Sequence, residues 1–419
     1  MFMLDISNLW NGLSLPDLLG CEPELFDVHR QLLDNFDDRF ADWTWQKSTA
    51  PNVVIQQLRD AASRIRHTSD SLVVVGTDEA TLGIRPPLEL VRGCRHNDNT
   101  AKPRIYFTGN DVSSRDFREL LNILDDRDFS VCFITHAGTT LESALAYRSL
   151  KWKLTAKYGE REALSRIYVF TEENKGHLFH RMQEQGVTVF GTPRSLCGRF
   201  SVLSACGLLP LMVAGVDVME LLQGAENLYE QTKLASFDNP TWLYCAGRRL
   251  LWAQNRPVEL WACPEQRALT LGTFWQRLFA DVPGPMVFPT LHNRDTQLAD
   301  HRSNVFETCL WMEEPEDPVM VEATWDNTDP FSFLEGRSFD AIARAAMDGR
   351  VEWHSNLDIP AFLLECGQPN AHTVGEILHF LEFSAVLWSA WLGYDPFTTK
   401  SIPESRRSML KILDAPGSC

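Results

Sequence analysis

The sequence predicts an α/β fold in which a doubly wound domain with a parallel sheet is followed by a second, smaller α/β domain. Three observations carry that expectation. Apolar, β-rich runs recur at intervals that leave room for a crossover helix between them. The intervening segments show the i, i+3, i+4 apolar repeat of helices packed on a sheet. The first of the runs leads straight into the glycine turn of VVVGTDEATLG, Val73 to Gly83, where an α/β sheet commonly offers backbone N–H groups to an anion.

In chain order, the first series of expected strands covers Ser71 to Val75, Arg104 to Thr108, Phe129 to Thr135, Ile167 to Thr171 and Val187 to Phe190. Helices are expected over Ser114 to Leu124 and Glu142 to Tyr158, with another starting near Ser201. The chain then passes through LLQGAENLYEQTKLASFDNP into a second series of strands around Val258 to Ala262, Met286 to Phe288 and Thr308 to Trp311. The stretch MEEPEDPVMVEATWDNTDP mixes proline with acidic residues and reads as an exposed connection. No short-period repeat or low-complexity tract interrupts this pattern.

A chain of 419 residues with 44% hydrophobic and 23% charged content can bury a core large enough for two domains. Its net charge of −17, with no Lys/Arg stripe to offset it, speaks against nucleic acid or an anionic membrane as partner. The opening MFMLDISNLW has no basic n-region and no clean apolar h-region, so no export signal is expected. The longest apolar run, Leu203 to Val216, is too short to span a bilayer and contains Pro210. Ten cysteines without a C-x-x-C pair match the usage of a reducing cytoplasm.

The most informative local signal is FITHAGTTLE, Phe133 to Glu142. A strand ends at Thr135, Gly138 permits the turn, and Thr139 and Thr140 stand where a helix begins. Their hydroxyls and the free N–H groups can cradle a phosphate, and the same residues also make an ordinary helix cap. Other chemistries find less support. His177 and His180 are three apart, but no third ligand has a metal-site spacing, so they read as a helix face and no metal is expected. The turn from Gly76 to Gly83 lacks the glycines of G-x-G-x-x-G, which disfavours a nicotinamide cofactor. Cys197, close to Arg199, has no evident base partner, and a buried small residue is its default reading.

The block from RIYFTGNDVSSRDF through FITHAGTTLESALAYRSLKWKLTAKYGE to CGRFSVLSACGLLPLMVAGVDVMELLQGA resembles the glucose-6-phosphate isomerase family in its shorter bacterial form, and the likeness continues through HRSNVFETCLWMEEP to LGYDPFTTKSIPESRRSML. It covers roughly residues 70 to 412. The resemblance implies two sugar-isomerase (SIS) domains of α/β/α type, at residues 46–222 and 223–392, after an N-terminal helical segment, 1–45, and before a C-terminal helical tail, 393–419. It also implies cofactor-free interconversion of glucose 6-phosphate and fructose 6-phosphate, in glycolysis and gluconeogenesis, by a cytoplasmic homodimer.

The resemblance assigns roles residue by residue. The family's S-K-S-G-T-T phosphate turn stands here as Thr135-His136-Ala137-Gly138-Thr139-Thr140, which makes Thr135, Thr139 and Thr140 phosphate contacts. Its G-I-G-G-S turn stands as Gly76-Thr77-Asp78-Glu79-Ala80, so Gly76 is kept and two carboxylates replace glycines. A carboxylate about 6 Å from a unit negative charge costs roughly 3 kcal/mol at an effective dielectric near 20. Arg199 matches the arginine that stabilises the enediolate. Asp281 stands at the position of the catalytic Glu in Q-x-x-x-E, with Arg277 in place of the Gln. His292 matches the ring-opening histidine, which the family supplies across a dimer interface, and Arg406 replaces the C-terminal lysine as a substrate contact. Because these departures fall together, a second reading stands beside the isomerase: a catalytically degenerate SIS-fold protein acting as a sugar-ligand sensor or protein-interaction module.

Overall fold

The computed structural model describes residues 2–10, 12–33, 52–98, 103–136, 138, 140–172, 177–192, 198–280, 282, 287–291, 302–324, 328–397, 408–409 and 411–413. In their first half they form β1 (Met3–Asp5), α1 (Leu15–Gly20), α2 (Glu22–Leu33), α3 (Asn52–Thr68), β2 (Ser71–Val75), α4 (Asp78–Thr81), α5 (Arg85–Arg92), β3 (Arg104–Thr108), α6 (Ser114–Asp125), β4 (Phe129–Ile134), α7 (Leu141–Tyr158), α8 (Glu160–Ser165), β5 (Ile167–Glu172), α9 (His177–Glu184) and β6 (Thr188–Thr192). The second half continues with α10 (Ala205–Ala214), α11 (Val218–Thr232), α12 (Pro240–Ala253), β7 (Val258–Ala262), α13 (Leu269–Ala280), β8 (Phe288–Leu291), β9 (Val305–Met312), α14 (Phe339–Asn356), β10 (Ala361–Cys366) and α15 (Ala371–Trp391).

Two sheets result, as the sequence leads one to expect. The first is wholly parallel with strand order β3-β2-β4-β5-β6. Its strands alternate between two apolar faces: Leu72 and Val74 pack with α3 and α10, whereas Val73 and Val75 pack with residues of α6, α7 and α8. This is the period-2 pattern of a sheet covered on both sides. The second sheet has order β1-β10-β9-β7-β8, parallel except for β1, which pairs antiparallel with β10. The N-terminal segment therefore supplies an edge strand as well as helices. After β9, Glu313 to Thr324 runs largely exposed without a helix or ladder strand, as its composition suggests.

One core joins the two halves, because the cluster that takes in Leu72 and Val74 also takes in Phe306, Leu310, Phe362 and Leu364 of the second sheet. Its centre is α15, buried on every side over most of its length. Helix α11 crosses it at backbone contact. A Cβ on Gly375 would stand 1.9 Å from the Leu221 carbonyl oxygen, and one on Gly224 would stand 1.9 Å from that of His372, so only glycine fits at either position.

A buried polar network seats α13. The Glu259 side chain, fully buried on β7, accepts from Tyr244 Oη at 2.6 Å, Thr308 Oγ1 at 2.6 Å and Arg248 Nε at 2.7 Å. Tyr244 in turn accepts from Trp275 Nε1 of α13 at 3.0 Å. Burial, and then the Glu259 carboxylate, push the Tyr244 phenol well above its ordinary value, so it stays a donor. Arg248 is fully buried and lies 4.1 Å from the Phe279 ring centroid and 4.6 Å from that of Trp388. Glu259→Gln keeps the shape but leaves the guanidinium without a counter-charge. We expect a loss of about 3–5 kcal/mol of stability, read as a lower urea midpoint, and an unchanged midpoint contradicts this seat.

Candidate active site

The chain leaves β2 toward β3 on one side and returns to β4 on the other. The carboxyl ends of β2 and β4 thus flank the topological switch point, where open α/β sheets form a ligand crevice. Gly76 closes the β2 side. Its N–H donates to Thr108 O at 3.0 Å, and an added Cβ would stand 3.0 Å from Thr81 Cγ2 and 3.3 Å from the Ile134 carbonyl oxygen. A side chain here would press on α4 and on the end of β4, so glycine suits the close approach of β2 to β4.

On the β4 side, Thr135 and Thr140 do different work. The buried Thr135 accepts the Gly138 N–H at 2.9 Å through Oγ1, which ties the turn, and Gly138 has φ +70°, a conformation suited to glycine. Thr140 is the N-cap residue of the 18-residue helix α7, yet its side chain makes no capping hydrogen bond. Its hydroxyl is left available beside the first-turn N–H groups of α7. Of the two readings of this turn, cap or cradle, the geometry gives the cap only the backbone. Thr139 and Ala137 lie outside the described residues.

The acidic turn is already partnered. Asp78 accepts from Asn110 Nδ2 at 2.9 Å, and Asn110 belongs to the loop after β3, on the side of β2 away from β4. Glu79 Oε1 lies 3.2 Å from Arg277 Nη2 of α13, so a side chain from the second half of the chain reaches across to the first. The two side chains are 49% and 42% exposed, which makes this a solvent-screened pair of modest strength. The other oxygen, Oε2, would stand 3.7 Å from a Cβ on Gly198, the residue before Arg199. A second tie from α13 to the first half runs from Thr270 Oγ1 to Glu89 Oε2 of α5, 3.1 Å, and burial raises the Glu89 carboxyl above its usual range.

Arg199 donates from Nη2 to the Pro396 carbonyl at 2.8 Å, and its guanidinium lies 5.1 Å from the Phe200 ring centroid. Phe200 meets Phe397 edge-on at 5.2 Å, so the segment after α15 braces the arginine. Asp281, His292 and Arg406 lie outside the described residues, as does Cys197. The structure therefore brings Gly76, Thr135, Thr140 and Arg199 to one end of the first domain and its edge with α13. Sequence reading missed the pairing of Glu79 with Arg277, which stand 198 positions apart and carry no local signal of each other. Among the described residues no group of three His, Cys, Asp or Glu is arranged to hold a metal ion.

No protein-family model matches the chain. Curated relatives do. Glucose-6-phosphate isomerase of Acetivibrio thermocellus is 31% identical over 378 residues, covering 86% of this chain and 84% of its own. That of Pediococcus pentosaceus is 31% identical over 395 residues, covering 90% and 88%. The chain belongs to the glucose-6-phosphate isomerase family. The Fusobacterium nucleatum member is 30% identical over 430 residues, spanning 99% of this chain and 96% of its own, so the family relation reaches both sheets and the crevice. Solved structures agree on the fold. A hypothetical protein of Thermus thermophilus superposes with TM-score 0.85 at 20% identity over 99% of this chain and 100% of that one. A glucose-6-phosphate isomerase of Chlamydia trachomatis superposes with TM-score 0.69 at 15% identity over 88% and 75%.

Within this family frame the two threonines can be told apart experimentally. Thr140→Val removes a hydroxyl that caps nothing, so thermal stability should stay within about 0.5 kcal/mol while sugar phosphate binds about tenfold more weakly. Thr135→Val should lower the melting temperature as well, because the Gly138 N–H loses its acceptor. Calorimetric melting and ligand titration of both variants check the contrast. Equal effects on melting and binding contradict it.

Proposed function

We infer that the chain is an aldose–ketose isomerase that interconverts glucose 6-phosphate and fructose 6-phosphate. The observation that carries this reading is the family relation, which extends over 86% of the chain to relatives named for that activity. The chemistry moves one proton from C2 to C1 and one from O2 to O1 while the C=O and enediolate electron pairs shift within a single substrate, so the balance needs no external oxidant or cofactor.

In this reading the phosphate takes the Thr140 hydroxyl and the first-turn N–H groups of α7, where the helix dipole favours an anion. Thr135 shapes the turn, and Thr139 adds a contact beside it. Arg199 holds the negative charge that grows on the enediolate oxygens, its side chain braced by the Pro396 carbonyl. Asp281 is the base that carries the proton, His292 assists ring opening and Arg406 contacts the substrate. The histidine is supplied across a homodimer interface, and the setting is the cytoplasm, where the eight described cysteines remain free thiols. Among the described residues no helix is long and apolar enough to cross a membrane.

The sensor reading rested on several family positions changing together. The Glu79–Arg277 pair joins two of those changes into one compensated exchange, which weakens the case for a dead site.

The test is interconversion of the two sugar phosphates by the purified protein beside two variants. We expect measurable turnover. Arg199→Ala should lose about 10²–10³-fold in kcat, and Asp281→Ala about 10²–10⁴-fold. A folded protein with no turnover and no thermal stabilisation by either sugar phosphate overturns the reading.

A further inference from the structure

We propose that Arg277 is a positioning residue for substrate binding: by pairing with Glu79 at the edge of the crevice, it offsets the charge of a carboxylate that would otherwise compete for Arg199 and repel the phosphate. The proposal rests on the sugar-phosphate reading of this site. Glu79 stands on α4, a single turn of helix directly after the Gly76 turn, and its side chain is half exposed. From there it has two neighbours of consequence. Arg277 of α13 holds Oε1 at 3.2 Å, while Oε2 faces the backbone of Gly198, one residue before Arg199. Without Arg277, the carboxylate keeps its full charge next to the residue before Arg199 and is free to turn to the arginine itself. There it would neutralise the cation meant for the enediolate and repel the phosphate dianion.

Asp78 does not present the same problem, because Asn110 draws it toward the β3 side of the sheet. Glu79 is thus the one acidic group of this turn whose direction is set from the second half of the chain. The arrangement also gives the departures from the family pattern a common cause. A glutamate in place of glycine needs a cation, and Arg277 in place of glutamine supplies it.

The effect should be moderate, since water screens both side chains. For Arg277→Gln we expect KM for fructose 6-phosphate to rise roughly tenfold, with kcat changed by less than about twofold, and the rise to shrink in 0.5 M salt. Glu79→Gln alone should not raise KM. The double variant Glu79→Gln/Arg277→Gln should return KM to within about twofold of the Glu79→Gln protein, a rescue that damage to packing could not show. An active protein whose KM is unmoved by Arg277→Gln overturns this inference alone. So does a double variant as impaired as Arg277→Gln, since that places Arg277 directly on the substrate. Absence of turnover in the unmodified protein overturns the functional reading and this inference with it.

Discussion

The buried Glu259 carboxylate is the constraint on which the arrangement of the second half depends. A charge removed from water is tolerated only when it is paired and its lone pairs are filled, and here the filling groups come from three further elements. Arg248 and Tyr244 on α12, Thr308 on β9 and, through Tyr244, Trp275 on α13 must all keep their places for the carboxylate to remain satisfied. The network makes the position of α13 specific, and α13 carries Arg277 to the edge of the crevice.

That placement links stability in one domain to electrostatics in the other. The first sheet supplies the shape of the proposed phosphate site through its topology: strand ends converge at the switch point, Gly76 permits close approach there, and α7 presents its first turn beside Thr140. Its own side chains make the site too acidic at Asp78 and Glu79. The correction comes from outside the sheet, from Asn110 in the loop after β3 and Arg277 on α13. Backbone geometry and charge balance at this site therefore have separate origins, and one can be altered by mutation while the other is kept.

Much of the fold was legible because burial dictates periodicity. Ser71–Val75, Arg104–Thr108 and Val258–Ala262 fall on the residues expected of them, and the ends of β4, β5 and β6 differ by one or two residues. Strand β1, three residues long, is a strand only because β10 is there to pair with it. Strand β10 itself, a short apolar run between Pro360 and Gly367, gave too little alternation to be placed beforehand. At the site, the glycine and threonine turns were readable from local pattern, since a turn needs neighbours in sequence. Glu79 with Arg277 and Glu259 with Arg248 were not: each residue by type looks like surface charge, and only the packing of distant elements brings the first pair together or buries the second.

The central claim is that the crevice between β2 and β4 receives the phosphate although its turn is acidic. The most direct measurement is a crystal structure of the protein with fructose 6-phosphate bound. The account predicts the phosphorus beside Thr140 at the start of α7, with Glu79 still on Arg277 and Arg199 facing the C1–C2 end of the sugar. A sugar phosphate bound elsewhere on the molecule, or one in the crevice with Glu79 turned toward Arg199, would contradict it.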